Sequence, residues 1–280
     1  MPYCINCGGE LAESARFCTT CGQKVSPEAV PELPVQAPGA PAPRDVRISD
    51  YFHRGWELFK QYPGGFIGFT ALSWLIHVMV SLIPLVGGFA AFILDAPLMV
   101  GSLIVAAKLA QRRPVHFGDY FQGFNFFGNL LLKDLVGALI LGFTALPWIV
   151  LLALAFMNRA RPLFDWRAPH LSAPSSGLLI VASLLGIIWL ILVTYLVVAW
   201  IFSSLLILDR RLGFWEAMEL SRHTVQARWF GFFGFLLLLF LINLGGVLFC
   251  LLPLLVTCPF SYCALTAAFA DTFGLRSKEY

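Results

Sequence analysis

Two Cys-x-x-Cys pairs, Cys4/Cys7 and Cys18/Cys21, stand at the front of this 280-residue chain with ten residues between them. A glycine follows each pair, Gly8 and Gly22, and glycine can take the positive φ that a tight thiolate turn requires. Four thiolates at this spacing suit one tetrahedral Zn²⁺ with Zn–S of about 2.3 Å. Leu11 and Phe17 are the only sizeable apolar residues between the pairs, so metal binding must supply the folding energy of so small a module. A centre closed by four cysteines keeps no position for water and is structural. Disulfides or a redox dithiol are the competing chemistries. A cytoplasmic setting disfavours stable disulfides, and redox Cys-x-x-Cys motifs sit on a βαβ pattern missing here. Arg16 and Lys24 offset Glu10 and Glu13, and a thiolate-bound metal adds roughly −2. The module is thus neutral to acidic, which suits a protein contact better than a phosphate backbone.

A second pair of residues invites chemistry. Asp95 stands deep in a stretch that is otherwise free of charge, where burial as an anion costs at least ~2.5 kcal/mol. Counted from a turn near residue 86, Asp95 and His77 reach nearly equal depth on opposite arms of a hairpin, where they can hydrogen-bond or share a proton. Asn243 and Thr257 hold the corresponding positions near the end of the chain as a neutral pair. A polar cross-link joining each hairpin is one role, and proton or ion coupling is the other.

No catalytic constellation accompanies these groups. Gly64-Gly65 and Gly87-Gly88 lack the strand context of a nucleotide loop, and neither Gly-x-Ser-x-Gly nor His-Glu-x-x-His occurs. Cys250, Cys258 and Cys263 form no Cys-x-x-Cys pair and read as packing residues. His53, His116, His170 and His223 are scattered without ligand spacing. We expect no enzyme.

The elements that carry these residues follow from composition. Hydrophobic residues make up 59% of the chain against ~45–50% for a soluble domain, and charged residues 12% against ~25%. The net charge of +3 is too small to mark a polyanion partner, so nucleic acid is not expected. Four stretches hold no charge when His77 is counted as neutral: Lys60 to Asp95, Asp134 to Arg159, Arg167 to Asp209, and Arg228 to Asp271. About 20 apolar residues cross a bilayer as a helix, and a backbone in lipid must bond internally. The spacing predicts six transmembrane helices in three hairpins. Turns are expected at Leu85–Gly88 and Leu251–Pro253, a third unit over Leu135–Phe156, and one long crossing over Gly177–Leu208, either tilted or broken near Ser203-Ser204.

Basic residues give the orientation. Fourteen lie before helix 1 (Arg44, Arg47, Arg54, Lys60), between helices 2 and 3 (Lys108, Arg112, Arg113, Lys133), between helices 4 and 5 (Arg210, Arg211, Arg222, Arg228), and in the tail (Arg276, Lys278). Only Arg159, Arg161 and Arg167 lie opposite, so both termini are expected in the cytoplasm. Six prolines among residues 26–43 make a spacer that reaches roughly 55 Å when extended. The expected organisation is a zinc ribbon over residues 1–25, a Pro/Ala-rich linker over 26–44 and a helical membrane domain over 45–280.

The membrane domain repeats itself. Phe66-Ile-Gly-Phe69 returns as Phe232-Phe-Gly-Phe235, and Pro97 as Pro259. Amphipathic stretches precede both outer hairpins. Phe52, Trp56 and Phe59 are expected to share one face of the first, and Phe214, Met218, Ser221 and Val225 one face of the second. Asp119-Tyr-Phe echoes Asp50-Tyr-Phe52 ahead of the middle hairpin.

Residues 3–25 resemble the short zinc ribbon at the front of many bacterial proteins. The segment Asp209-Arg-Arg, Glu216-Ala217 and Ser221, with a final hairpin ending Thr-x-Pro…Ala…Asp, resembles a broad group of uncharacterised bacterial multi-pass membrane proteins. Some of these are related to the membrane domain attached to glycerophosphodiester phosphodiesterases. That resemblance covers roughly residues 48–275, implies an inner-membrane protein, and carries over no catalytic residue. Two functions are open: recruitment or assembly through the ribbon, with the bilayer and a protein as partners, or a transporter or channel component that uses Asp95 and His77.

Metal analysis of the purified chain should find one zinc per polypeptide, and Cys4→Ser/Cys7→Ser should abolish it. Zinc content unchanged by that double substitution would remove the ribbon.

Overall fold

Backbone amides that lack water must bond within their own segment, and among the described residues the charge-free stretches are built of helices. In a computed structural model of the chain, residues 46–84, 86–164, 176–249 and 251–276 are described. All of them belong to the second of two units into which the chain divides, which begins at Pro43. The expected ribbon and linker lie outside the described residues.

Among the described residues there are helices and no strands. The order is α1 (Ile48–Gln61), α2 (Pro63–Ser81), α3 (Gly87–Ala110), a 3₁₀ segment (Phe117–Phe126), α4 (Phe127–Phe164), α5 (Ser176–Ala199), α6 (Ser203–Arg210), α7 (Phe214–Gln226), α8 (Trp229–Leu248) and α9 (Leu254–Phe273). Six spans are long and apolar enough to cross a membrane: α2, α3, the run Phe117–Met157, the run Gly177–Arg210, α8 and α9.

Boundaries follow local chemistry. A single residue in a non-helical conformation separates each outer amphipathic helix from its span: Tyr62 (φ −146°, ψ 55°) before α2 and Arg228 (φ −141°, ψ 37°) before α8. These positions are related by the same offset as the Phe-x-Gly-Phe motifs, so the repeat extends to the backbone. The first turn comes earlier than Leu85–Gly88. α2 ends at Ser81 because Pro84 cannot prolong it, and Gly87 already opens α3. The last turn falls where expected, with Leu251 left-handed at φ 62°. The long fourth crossing is broken over Trp200–Phe202, three residues before Ser203-Ser204. Lys108 and Lys133, expected in a connection, lie inside α3 and α4.

Burial divides the spans into two kinds. The outgoing arms of the outer hairpins, α3 and α9, bury 56% of their apolar windows, whereas Phe117–Met157 and Gly177–Arg210 bury only 11% and 6%. The short α6 joins the outgoing arms, with Ser203 to Asp209 all buried. Phe202 fills the space between these elements, 5.3 Å from Phe232, 5.9 Å from Phe269 and 5.7 Å from Phe273 between ring centroids. Elsewhere Phe143, Ile188 and Phe240 stand outward in rows no soluble surface would carry.

Each lead-in segment packs on an outgoing arm of a different hairpin, and the contacts close on themselves. The 3₁₀ segment lies on α3, α7 lies on α6, and α1 returns to α9. Missing side chains permit this. A Cβ on Gly55 would stand 2.6 Å from the Ala264 Cα. Gly123 rests against the Pro97 carbonyl and Gly101 against that of Tyr120, with the same result. In α7 the equivalent residue is Ser221. Its hydroxyl donates to the Ala199 carbonyl (2.8 Å) and accepts from the Phe202 amide (3.2 Å), satisfying the two groups orphaned by the α5–α6 break.

Phe52, Trp56 and Phe59 share a face of α1 as expected, Trp56 stacking on Phe59 at 5.5 Å and lying with Phe52 against Phe260. The deepest contacts are made beside them, by buried Tyr51, Gly55, Leu58 and Phe59, while Trp56 is 44% exposed. The α7 face is as expected, with Met218, Ser221 and Val225 buried.

Gly55→Val should overpack the α1–α9 crossing and cost about 1–3 kcal/mol. Gly68→Ala, where nothing lies within 4 Å, should be near neutral. Thermal unfolding in detergent checks both, and equal melting temperatures would contradict the packing argument.

Candidate functional site

Helical spacing places Ser73 and His77 one turn apart on α2, facing Asp95 on α3. His77 Nδ1 lies 2.9 Å from the Ser73 carbonyl, and Nε2 lies 3.5 Å from Asp95 Oδ1, the outer limit of a direct bond. The Ser73 carbonyl can only accept, so Nδ1 carries hydrogen. Nε2 is then the ring nitrogen that faces the Asp95 carboxyl across the hairpin. The expected meeting of His77 and Asp95 across the hairpin is therefore present as a contact.

Two cavities meet at Asp95. A pocket of about 90 Å³ between α2, α3 and α9 is lined by Thr70, Ser73, His77, Asp95, Ser102 and Tyr262, among others. Ser73 Oγ is buried with no protein partner. The volume exceeds what one water needs, and the lining supplies the polar partners a water requires. A crevice of about 330 Å³ opens between α3, α4 and α6, with Asp95 again in its wall. Its polar end is a cluster the sequence reading missed: Lys133 Nζ sits 2.7 Å from Asp134 Oδ1 and donates to Ser204 Oγ at 3.0 Å.

The last hairpin is cross-linked differently than expected. Asn243 does not pair with Thr257. It donates to Ser261 Oγ (2.8 Å) one turn further along α9, and Cys258 Sγ approaches its Oδ1 at 3.5 Å. The helix rotation that puts Ser261 against α8 leaves Thr257 Oγ1 buried and without a partner among the described residues.

Charged clamps secure two of the lead-in contacts. Lys108 Nζ meets Asp119 Oδ1 at 2.9 Å and Gln122 Oε1 at 3.0 Å, with both charged side chains nearly buried. Asp271 accepts from Tyr51 Oη (3.1 Å) and from Arg47 (3.3 Å). Burial, and then the Asp271 carboxylate beside it, raise the Tyr51 phenol above its ordinary range and keep it a donor. The available signal was a cation ending an apolar run with an acid in the next aromatic segment, but burial was not legible from it.

Cys4, Cys7, Cys18 and Cys21 lie outside the described residues. Among the described residues no group of three or more His, Cys, Asp or Glu is placed to hold a metal ion. No family model, curated protein or solved structure matches the chain.

Lys108→Ala should leave Asp119 buried without its cation and cost about 3–5 kcal/mol. Asp95→Asn, in a more open pair, should cost about 0.6 kcal/mol. Unfolding of the detergent-solubilised variants ranks the two, and the reverse order would refute the burial argument.

Proposed function

We propose that this chain is a non-enzymatic, multi-pass protein of a bacterial inner membrane, whose helical unit anchors a cytosolic zinc ribbon that recruits a protein partner. One observation carries the reading. The lead-in contacts collect α1, where the linker joins, and the Arg-bearing ends of the outgoing helices on one face. Arg47 reaches Asp271, the Arg276 amide reaches Asp209 (2.9 Å), and Arg210 Nη2 reaches the Phe273 carbonyl (3.1 Å). Positive charge gathered on one face favours the cytoplasmic side for that face, and so for both termini. Cys4, Cys7, Cys18 and Cys21 then hold one structural Zn²⁺ in a reducing compartment, at the end of a proline-rich spacer.

The filling of the centre by Phe202, Phe269 and Phe273 supports an anchor over an axial pore. The resemblance to membrane domains accompanying phosphodiesterases fits the same role, with no catalytic residue implied.

A second reading, a small-molecule transporter component, is favoured by the position of Asp95 in the walls of both cavities. Deletion of residues 1–44 separates the two. Recruitment requires that proximity labelling of membrane partners be lost with the deletion and with Cys4→Ser/Cys7→Ser; an unchanged partner set would reject it.

A further inference from the structure

We propose that the crevice between α3, α4 and α6 binds a monovalent organic cation with an apolar body, and that Asp95 gives up the proton it shares with His77 when the cation enters. This deepens the transporter reading and rests on it.

The crevice volume of about 330 Å³ matches a small organic molecule, and Phe92, Met99, Leu141 and Trp200 give it an apolar and aromatic wall. Charge decides the ligand. Lys133 is already bonded to Asp134 and to Ser204, so those two charges offset one another. The carboxylate without a fixed cation is Asp95, whose side chain is 67% exposed although it stands in an apolar span. Its other facing groups are His77 from α2 and Tyr262 and Cys258 from α9, none of them a permanent cation. An anion would meet two carboxylates and one satisfied ammonium. A cation meets Asp95 and an aromatic wall, the arrangement that stabilises quaternary ammonium groups.

The proton balance is one for one. In the proposed empty state one proton lies between Asp95 and His77, which face one another at 3.5 Å, and the pair is neutral. When a monocation settles against the carboxylate, that proton leaves to solvent and His77 stays neutral, its Nδ1 still bonded to the Ser73 carbonyl. The span is neutral before and after, so exchange carries no net charge into the membrane interior. The polar pocket on the far side of Asp95, lined by Ser73 and Ser102 and large enough for water, gives the departing proton a polar way out.

Benzyltrimethylammonium is the probe. Calorimetry on the full chain in detergent should show saturable binding at one site. Heats measured in two buffers of different ionisation enthalpy should report about one proton released per cation. Asp95→Asn should weaken binding at least tenfold, Asp95→Glu should restore it, and benzenesulfonate should not compete. Absence of saturable binding, binding unchanged by Asp95→Asn, or binding without proton release would each overturn the proposal. Proton uptake by liposomes holding the full chain or its Asp95→Asn variant keeps the two readings apart. If the cation fails to bind while uptake still depends on Asp95, the ligand class falls and the transporter reading stands; if uptake is also indifferent to Asp95, both fall.

Discussion

A helix lying across the end of another can come close only where side chains are absent or small, and three such crossings hold this membrane unit together. Gly55 over Ala264, Gly123 and Gly101 between the 3₁₀ segment and α3, and Ser221 at the α5–α6 break all sit where a lead-in segment meets an outgoing arm. In lipid there is little hydrophobic gain from joining apolar helices, so close van der Waals contact and hydrogen bonds must provide the association. The contacts involve all three hairpins and return to the first. No hairpin can then swing away without breaking a crossing on either side, which accounts for the burial of α3, α6 and α9 while α4 and α5 remain mostly outward.

Several charges in this unit are cancelled locally. Lys108 with Asp119, Lys133 with Asp134, and Asp271 with Arg47 and Tyr51 each join opposite charges across short distances. His77 and Asp95 instead face one another at 3.5 Å across the first hairpin. The difference is access: the first clamp is nearly sealed, whereas Asp95 opens onto two cavities. A sealed pair contributes to specificity of packing, and an open pair can change its partner.

Much of the architecture was legible. Charge-free runs gave six spans because lipid leaves a long uncharged backbone no alternative to the helix, and the Phe-x-Gly-Phe motifs marked the repeat because Phe66, Phe69, Phe232 and Phe235 all enter the core. The depth argument brought His77 and Asp95 together correctly, since a tight hairpin fixes the register of its arms. The same argument failed for Asn243, where helix rotation selects Ser261 and sequence depth carries no information on rotation. The aromatic face of α1 was legible from its spacing, but which residues reach deepest was not, because a glycine, Gly55, determines how closely the helix can approach α9. Lys108 and Lys133 were read as loop charges because a lone cation in sequence gives no sign of a partner that folds onto it.

Ser221 has a mechanical consequence. One hydroxyl from α7 occupies both the acceptor and the donor freed where α5 gives way to α6. If α7 withdrew, those groups would be left facing each other along the axis, and the nearest remedy is for the break to anneal into one straight rod from Ser176 to Arg210. The shape of the middle hairpin is thus tied, through a single oxygen, to the helix that opens the third.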